Sequence, residues 1–512
     1  MPMLSEAEIR RFVTAAAAML ARERDLAAFE VYCSSSEQIV ARLNHTSEIP
    51  SRGVEEVKSL AADGFALRIV TRRDRHETGS AFVAGDLSIG GVKRALGQAL
   101  NSTVIDPHFP GLPISPGPAT PSNSDRADLL KTSHLAIARA AWETLGGAMR
   151  EFARRAPREL LNPGLIIGGD FTLTRERITL AGSGIPAVRT DQDAWFTASV
   201  TVIIEAMQAK ATSSAMGRWT VELQRCQSTL GRDAIRRALD SHRPASPPSG
   251  RYSVVLGPQP LGEILSYLVI PSLSAGAFYR GDSAYYGRFG SQVMDRRISL
   301  IEDPGLRRGA IRRRVTCEGL PAGPTVLIRD GKLTGLLSNF YDSHRLAGDA
   351  AVTAKLGVAA PANPSFAPFA GYRIGDQGGR RFDSAPHSSA SNVIMKIRDG
   401  RGEAELLKAV RNGIYVGRVW YTYPINGQRA GDFTCTVSGD SYLIENGRLT
   451  APIAPNSLRI SAHIDDVFGA AAAVGNRLLP SFVWGQPEVF YLPALAVDEL
   501  PLTSTTDTPG GG

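Results

Sequence analysis

Residues 251–288, RYSVVLGPQPLGEILSYLVIPSLSAGAFYRGDSAYYGR, decide how this chain is read. The apolar residues around Val254 and Leu256 predict a strand, and the Gly-Pro pair after them a tight turn. The apolar run that follows predicts a helix kinked at Pro271, whose ring removes an N–H and clashes with the preceding turn. Then comes a glycine-containing segment rich in Tyr and Arg. Between residues 261 and 275 there is no His, Cys or Asp, and Glu263 is the single acid. A zinc hydrolase needs about three protein ligands and an open position for water. This helix cannot supply them.

Nothing nearby in the sequence replaces the missing ligands. The eight histidines are His45, His76, His108, His134, His242, His344, His387 and His463, and no two are closer than 26 residues. No pair therefore has the short spacing that puts two imidazoles on one helix face. The four cysteines, Cys33, Cys226, Cys317 and Cys435, form no C-x-x-C pair and read as small buried apolar side chains. A metal site assembled from distant residues stays open at this point.

Composition narrows the classes further. Of 512 residues, 43% are hydrophobic and 21% charged, which suits a globular chain of roughly two to four domains. The net charge of +7 raises nucleic acid as a partner, with basic clusters at 72–75, 150–158 and 307–314. Apolar and acidic residues interrupt these clusters, and no nucleic-acid motif accompanies them. Arginine exceeds lysine by 49 to 8, a bias expected from genomic base composition. The clusters are read as solvated faces, with no nucleic-acid partner. Arg280, Arg288 and 307–314 keep a lesser claim, as groups for an acidic partner or a peptide carboxylate. The longest uncharged run, 356–372, is broken by Pro361, Pro364 and Pro368, so no membrane span is expected. The first residues lack a signal-peptide pattern and read as an amphipathic helix capped at Ser5, with Glu8 three residues on. A cytoplasmic location follows as the expectation.

Two proline-rich stretches, 105–125 and 241–250, divide the chain. Residues 1–245 read as an N-terminal αβ region with a proline-rich linker near 105–125. Residues 251–500 read as a larger, β-rich C-terminal domain, and 501–512 as a disordered tail. Short strands are expected at 165–167, 171–173, 177–180 and 195–204. Asp330-Gly331 and Asn446-Gly447 each mark a tight hairpin, and a helix at 403–410 is expected to end on a left-handed cap at Asn412-Gly413. The fold class is α+β.

Several blocks, taken in order, resemble the TldD/PmbA (TldE) family of peptidase subunits. They are SRGVEEVKSLAADGFALRIVTRRDRHETGSAFV (51–83), the central block 251–293, and IEDPGLRRGAIRRRVTCEGLPAGPTVLIRDGKLTGLLSNFYDSHRLAG (301–348). NGQRAGDFTCTVSGDSYLIENGRLTAPI (426–453) and VGNRLL (474–479) complete the set. Cys317 replaces the usual acid before Glu318, and Ala430 replaces the usual Thr. In the family's catalytic subunit the central helix carries H-E-x-x-x-H, and a cysteine near the C-terminus completes the metal site. Here Tyr267, Leu268 and Ser272 stand where His, Glu and His would, and no cysteine follows Cys435. The resemblance therefore implies the TldE/PmbA type of subunit, with no catalytic residue and no cofactor of its own. Its partner would be a homologous TldD-like zinc subunit in a heterodimer, acting on a peptide or a peptide-derived natural product.

The segment after the helix concentrates Phe278, Tyr279, Arg280, Tyr286 and Arg288, a mixture suited to a substrate or partner cleft. The alternative is an independent hydrolase with an unrecognised site. No G-x-S-x-G elbow supports it. Gly331-Lys332 is a hairpin turn rather than a phosphate loop, and the G-x-G at 182–184 is followed by Pro186, so it too reads as a turn. Glu302-Asp303 and Asp465-Asp466 are adjacent carboxylates, but neighbours in a strand face opposite ways.

Overall fold

Strand β1 (Leu26–Thr46) organises the N-terminal half because both of its faces are covered. In the computed structural model, which describes residues 3–49, 52–115, 117, 128–158, 160, 162–359, 363–375 and 378–505, β1 lies at the centre of a seven-stranded sheet. Its companions are β2 (Lys58–Thr71), β3 (Glu77–Ala84), β4 (Val104–Ile105), β5 (Leu165–Gly182), β6 (Ile185–Ile204) and β7 (Ala209–Gly217). The order is β4-β3-β2-β1-β5-β6-β7, with every neighbouring pair antiparallel. Successive side chains of a strand point to opposite faces. Val31 and Cys33 of β1 accordingly pack with helices α1 (Glu6–Leu20) and α2 (Ile89–Asn101). Ile39, Ala41 and Leu43 pack with α3 (His134–Arg155) and α4 (Thr220–Asp240). Tyr32 points the other way, into a cluster with Val315, Cys317 and Phe382 of the C-terminal half.

The sequence signals hold locally, with instructive exceptions. Ser5 and Glu8 form the expected capping box at the start of α1. The three short strands expected between 165 and 180 are one strand, β5, because β1 pairs along its whole length. Ser183 and Gly184 form the turn from β5 to β6, so the G-x-G is a hairpin. In the proline-rich stretch, Phe109 is buried and the Ser115 N–H donates to the Gly184 carbonyl at 2.8 Å. Residues 116 and 118–125 of that stretch lie outside the described residues.

The C-terminal half contains two further sheets. In the nine-stranded sheet the order is Val419–Ile425, Asp432–Val437, Leu458–His463, Leu495–Ser504, β8 (Gly250–Leu256), Gly413–Val416, Tyr442–Glu445 and Arg448–Pro452, with Ala473–Val474 beside Leu495–Ser504. The six-stranded sheet comprises Lys332–Leu333, Thr325–Arg329, Ile298–Glu302, Asn392–Ile397, Val489–Leu492 and Leu479–Phe482. The mixture of helices and sheets, with the larger β-rich portion C-terminal, is the α+β architecture. Three expectations need correction here. Residues 501–504, read as the start of a disordered tail, complete the strand Leu495–Ser504 and pair with β8 and Leu458–His463, while 506–512 lie outside the described residues. After the helix Glu403–Val410 the positive φ, 62°, falls on Arg411 rather than on Asn412 or Gly413. The basic cluster 307–314 is not wholly a solvated face: Arg313 is buried over the Tyr372 ring, 4.7 Å from its centroid.

Charged side chains tie the two halves together. Arg380 is buried between Glu176 on β5 (2.7 Å) and Asp191 on β6 (2.8 Å), and Arg218 pairs with Asp193 at 2.6 Å. The backbone N–H groups of Arg312 and Arg314 donate to Asp193 and Asp191. Removing one partner of such a buried pair costs about 3–5 kcal/mol.

Candidate functional site

The chain leaves β8 through Gly257 into α5 (Pro258–Ile264), a π-helical turn (Leu265–Val269) and α6 (Ile270–Ser272). The helix was expected to kink at Pro271, but the irregularity begins earlier. The Ile270 N–H reaches back to the Leu265 carbonyl, one residue beyond the α-helical partner. Pro271 has no N–H to offer the Tyr267 carbonyl, and the π turn takes up that mismatch. Leu261, Ile264, Leu265 and Leu268 share one buried cluster with Leu256 and Phe433 of the larger sheet and Leu300 and Val393 of the smaller. The helix thus sits at the centre of the C-terminal core.

At the three positions that the resemblance sets against the family's H-E-x-x-x-H, the arrangement is closed. Tyr267 is half-buried, while Leu268 and Ser272 have no exposed surface. The Ser272 hydroxyl donates to the Leu268 carbonyl (2.8 Å) and accepts from the Gln428 side-chain amide (3.0 Å) and the Ala284 N–H (3.4 Å). Gln428 also donates to the Leu268 carbonyl at 2.5 Å, and the Ser283 hydroxyl donates to the Ser272 carbonyl at 2.7 Å. The donor set does not fit zinc: leucine offers no donor atom, and neutral phenol and alcohol hydroxyls are poor ligands beside imidazole or thiolate. Among the described residues no group of three or more His, Cys, Asp or Glu stands close enough to hold a metal ion. Gln428 was missed in the sequence although it lies in the block 426–453, since nothing in its spacing points to residues 160 and 156 positions earlier.

The segment after the helix does not gather its five singled-out residues in one place. Ser274 caps α7 (Ala275–Arg280), and Gly281, at φ 82°, ends it. Phe278 is wholly buried in the core, which removes it from any cleft wall. Tyr279 is half-buried, with the Arg345 guanidinium 4.2 Å and the Lys355 ammonium 4.1 Å from its ring centre and His108 edge-on at 6.1 Å. Arg280 is exposed, pairs with Asp282 at 2.8 Å, and lines a cleft of about 470 Å³ with Arg68, Asp106, Glu318, Tyr341, Asp342 and Arg345. Tyr286 lies under Arg429 (4.5 Å), the neighbour of Gln428, and Arg288 grips Asp465 at 2.9 and 3.2 Å. Tyr279 and Arg280 therefore face the seam with the N-terminal sheet, whereas Tyr286 and Arg288 meet the loops after Ile425 and His463.

Three of the buried carboxyl groups that stand above their ordinary range are Glu302, Glu318 and Glu263. Burial pushes Glu302 up to about 8 against the Ser391 N–H (3.1 Å), and Glu318 up to about 7 beside Arg68 (4.0 Å) and the Phe340 N–H (2.9 Å). Burial likewise raises Glu263, on α5, to about 7, and the Gln259 amide donates to it at 3.0 Å. Gln259 also bonds both backbone groups of Val419, at 2.9 and 3.1 Å, and so fastens α5 to the outer strand of the larger sheet. Each of the three carboxyls is held in a structural network, and raised pKa values alone do not make a catalytic pair.

Known proteins share this arrangement of elements. The profile described as "PmbA/TldA metallopeptidase C-terminal domain" matches residues 249–504. A protein named "Metalloprotease" from Methanothermobacter thermautotrophicus is 26% identical over 235 residues, which are 45% of this chain and 44% of that protein. "Metalloprotease TldD homolog" from Haemophilus influenzae is 28% identical over 234 residues, 44% of this chain and 41% of that protein. The matched region thus spans about half the length or less of each of these two relatives. The crystal structure of TldE from Thermococcus kodakarensis superimposes with a TM-score of 0.74 over 97% of this chain and 100% of that one, at 14% identity, a likeness of fold. The blocks along the sequence, the two sheets around the central helix and the profile over residues 249–504 agree, and the chain belongs to the TldD/PmbA metallopeptidase family.

Proposed function

We propose that this chain is a non-catalytic, TldE/PmbA-like subunit that completes the peptide-binding cavity of a zinc-bearing, TldD-like partner. The heterodimer would process peptides or peptide-derived natural products in the cytoplasm, where free, buried thiols such as the four cysteines here are the rule. The observation that carries this reading is the closed ligand position. Leu268 and Ser272 are buried, and Gln428 bonds the Leu268 carbonyl and the Ser272 hydroxyl that face it. A peptidase scaffold kept without its catalyst makes physical sense as a wall that holds an extended peptide and excludes water from a neighbouring metal. In this reading Tyr279 and Arg280 contribute to one wall of the cavity, and Tyr286 and Arg288 to its far side.

The test is peptide cleavage by each subunit alone and by the mixture, with the partner captured from the native host and zinc measured in every sample. The expected result is turnover in the mixture only, lost when the partner's metal-site glutamate is replaced, with no stoichiometric zinc on this chain. Chelator-insensitive turnover by this chain alone would overturn the reading in favour of an independent hydrolase.

A further inference from the structure

The seam between β7 and the outer strand of the nine-stranded sheet holds two half-buried cations, Lys210 and Arg418, that make no close ion pair among the described residues. Lys210 lies on β7, its ammonium 4.2 Å from the centre of the Trp420 ring. Arg418 stands just before the strand Val419–Ile425. Among the described residues neither side chain makes an ion pair or a hydrogen bond. The two repel each other, and burial works against both charges.

Two acids face them, and they are shared. One Asp440 oxygen accepts the Thr212 N–H at 2.9 Å, while the other takes no hydrogen bond and lies 3.4 Å from a third cation, Arg237. Glu263, which faces Arg418, has its pKa raised by burial to about 7 and is only partly ionised near neutrality. Asp440 is thus shared among three cations. The two residues are held side by side because the backbone is pressed together here: a Cβ on Gly439 would lie 2.3 Å from the Lys210 carbonyl oxygen, and the Ser438 N–H donates to the Arg418 carbonyl at 2.9 Å. Unpaired charge in a half-buried place is costly, and an anion entering between the two side chains would relieve it.

An exposed aromatic shelf adjoins the pair. The Trp420 and Tyr421 rings are 4.7 Å apart, and Tyr421 and Tyr423 are 68% and 50% exposed. Tyr421 has φ 51°, and the pairing register slips between Trp420 and Tyr423. A tyrosine in that region costs about 1–2 kcal/mol. The Tyr421 ring stands in solvent at this bulge.

We propose that Lys210 and Arg418 bind the carboxylate of a peptide, with Trp420 and Tyr421 covering the apolar residue beside it. The inference rests on the peptide-handling role proposed above and adds where the peptide's anionic group is held. The carboxylate could come from a C-terminus or from an Asp or Glu side chain, and the test separates the two. Isothermal titration of the full chain, alone and with its partner, would use acetyl-Ala-Ala-Ala-Phe as the free acid, the same peptide as its amide, and the acetyl-Ala-Asp-Ala-Phe amide. The expected result is at least about tenfold tighter binding of a carboxylate-bearing peptide than of the plain amide, corresponding to about 1.4 kcal/mol. Preference for the free acid points to a C-terminus, and preference for the Asp amide to a side chain. Lys210→Met and Arg418→Met should each abolish that preference. Both should also keep or raise the melting temperature, because each removes a half-buried cation that burial disfavours. Equal binding of acid and amide, tighter binding of inorganic phosphate than of either acid, or variants that retain the preference would overturn this site and leave the peptide-handling role standing. No binding of any peptide, with or without the partner, would overturn that role and the site with it.

Discussion

The ligand position on the central helix and the seam at Lys210 lie at opposite extremes of satisfaction. At Leu268 and Ser272, the Ser272 hydroxyl donates to a carbonyl and accepts from an amide, and the apolar neighbour is sealed in the core. At Lys210 and Arg418, two like charges repel each other with no close ion pair of their own, and aromatic rings stand in solvent. The family's chemistry directs attention to the first region, and the physical state of the molecule directs it to the second. Saturated hydrogen bonding and full burial leave nothing for a ligand to gain, whereas unmet charge beside an exposed ring leaves a great deal.

The largest expected effect would come from forcing the family's ligands back onto the helix. In the triple variant Tyr267→His, Leu268→Glu, Ser272→His, a carboxylate replaces a fully buried leucine. The expected loss is on the order of 3–5 kcal/mol, read as a lower urea midpoint, with no gain of zinc. A variant that takes up one zinc per chain and keeps its midpoint would break the contrast, because the helix would then be open after all.

A second effect concerns pH in the sealed interior. Glu302 has its folded value raised to about 8, above its ordinary value of 4.5. Its contribution to stability is therefore complete below the ordinary value and is lost as pH rises through about 8. The loss is on the order of a few kcal/mol. Denaturation midpoints measured from mildly acidic to alkaline pH should fall across that window, and Glu302→Gln should flatten the fall. An identical slope in the variant would show that Glu302 is not the group responsible.

Gln428→Ala should act more modestly, since it removes one amide that bonds both the Leu268 carbonyl and the Ser272 hydroxyl. A cost of about 1–3 kcal/mol is expected, with slower cleavage by the reconstituted mixture if the helix shifts. The smallest stability effect belongs to Arg280→Ala. Arg280 is exposed and its partner Asp282 is exposed too, so stability should change by less than about 0.5 kcal/mol while cleavage by the mixture weakens. Tyr279 is a poorer probe because Arg345 and Lys355 pack on its ring.

Much of this was legible in the residues. Ser5 with Glu8, Asp330 with Gly331 and Asn446 with Gly447 act within a few positions of one another, and each forms the local structure its chemistry favours. The absence of donors on the central helix could likewise be read from residue identity alone. Phe278 could not be placed that way, since an aromatic next to Tyr279 and Arg280 looks the same in sequence whether it lines a cleft or fills a core. Nor could 307–314, where Arg313 is buried over Tyr372 and only the surrounding fold shows it.

The sequence by itself determined the family, the α+β class and the absence of a zinc ligand set on the central helix, because each depends on which atoms the side chains carry and on short-range order. Only the tertiary structure decided that Gln428 bonds Leu268 and Ser272, that Arg380 bridges Glu176 and Asp191, and that Lys210 lies on the Trp420 ring. Those contacts join residues far apart along the chain. Their energies depend on burial and on the partners that packing brings near, and neither quantity exists before the sheets have closed around the central helix.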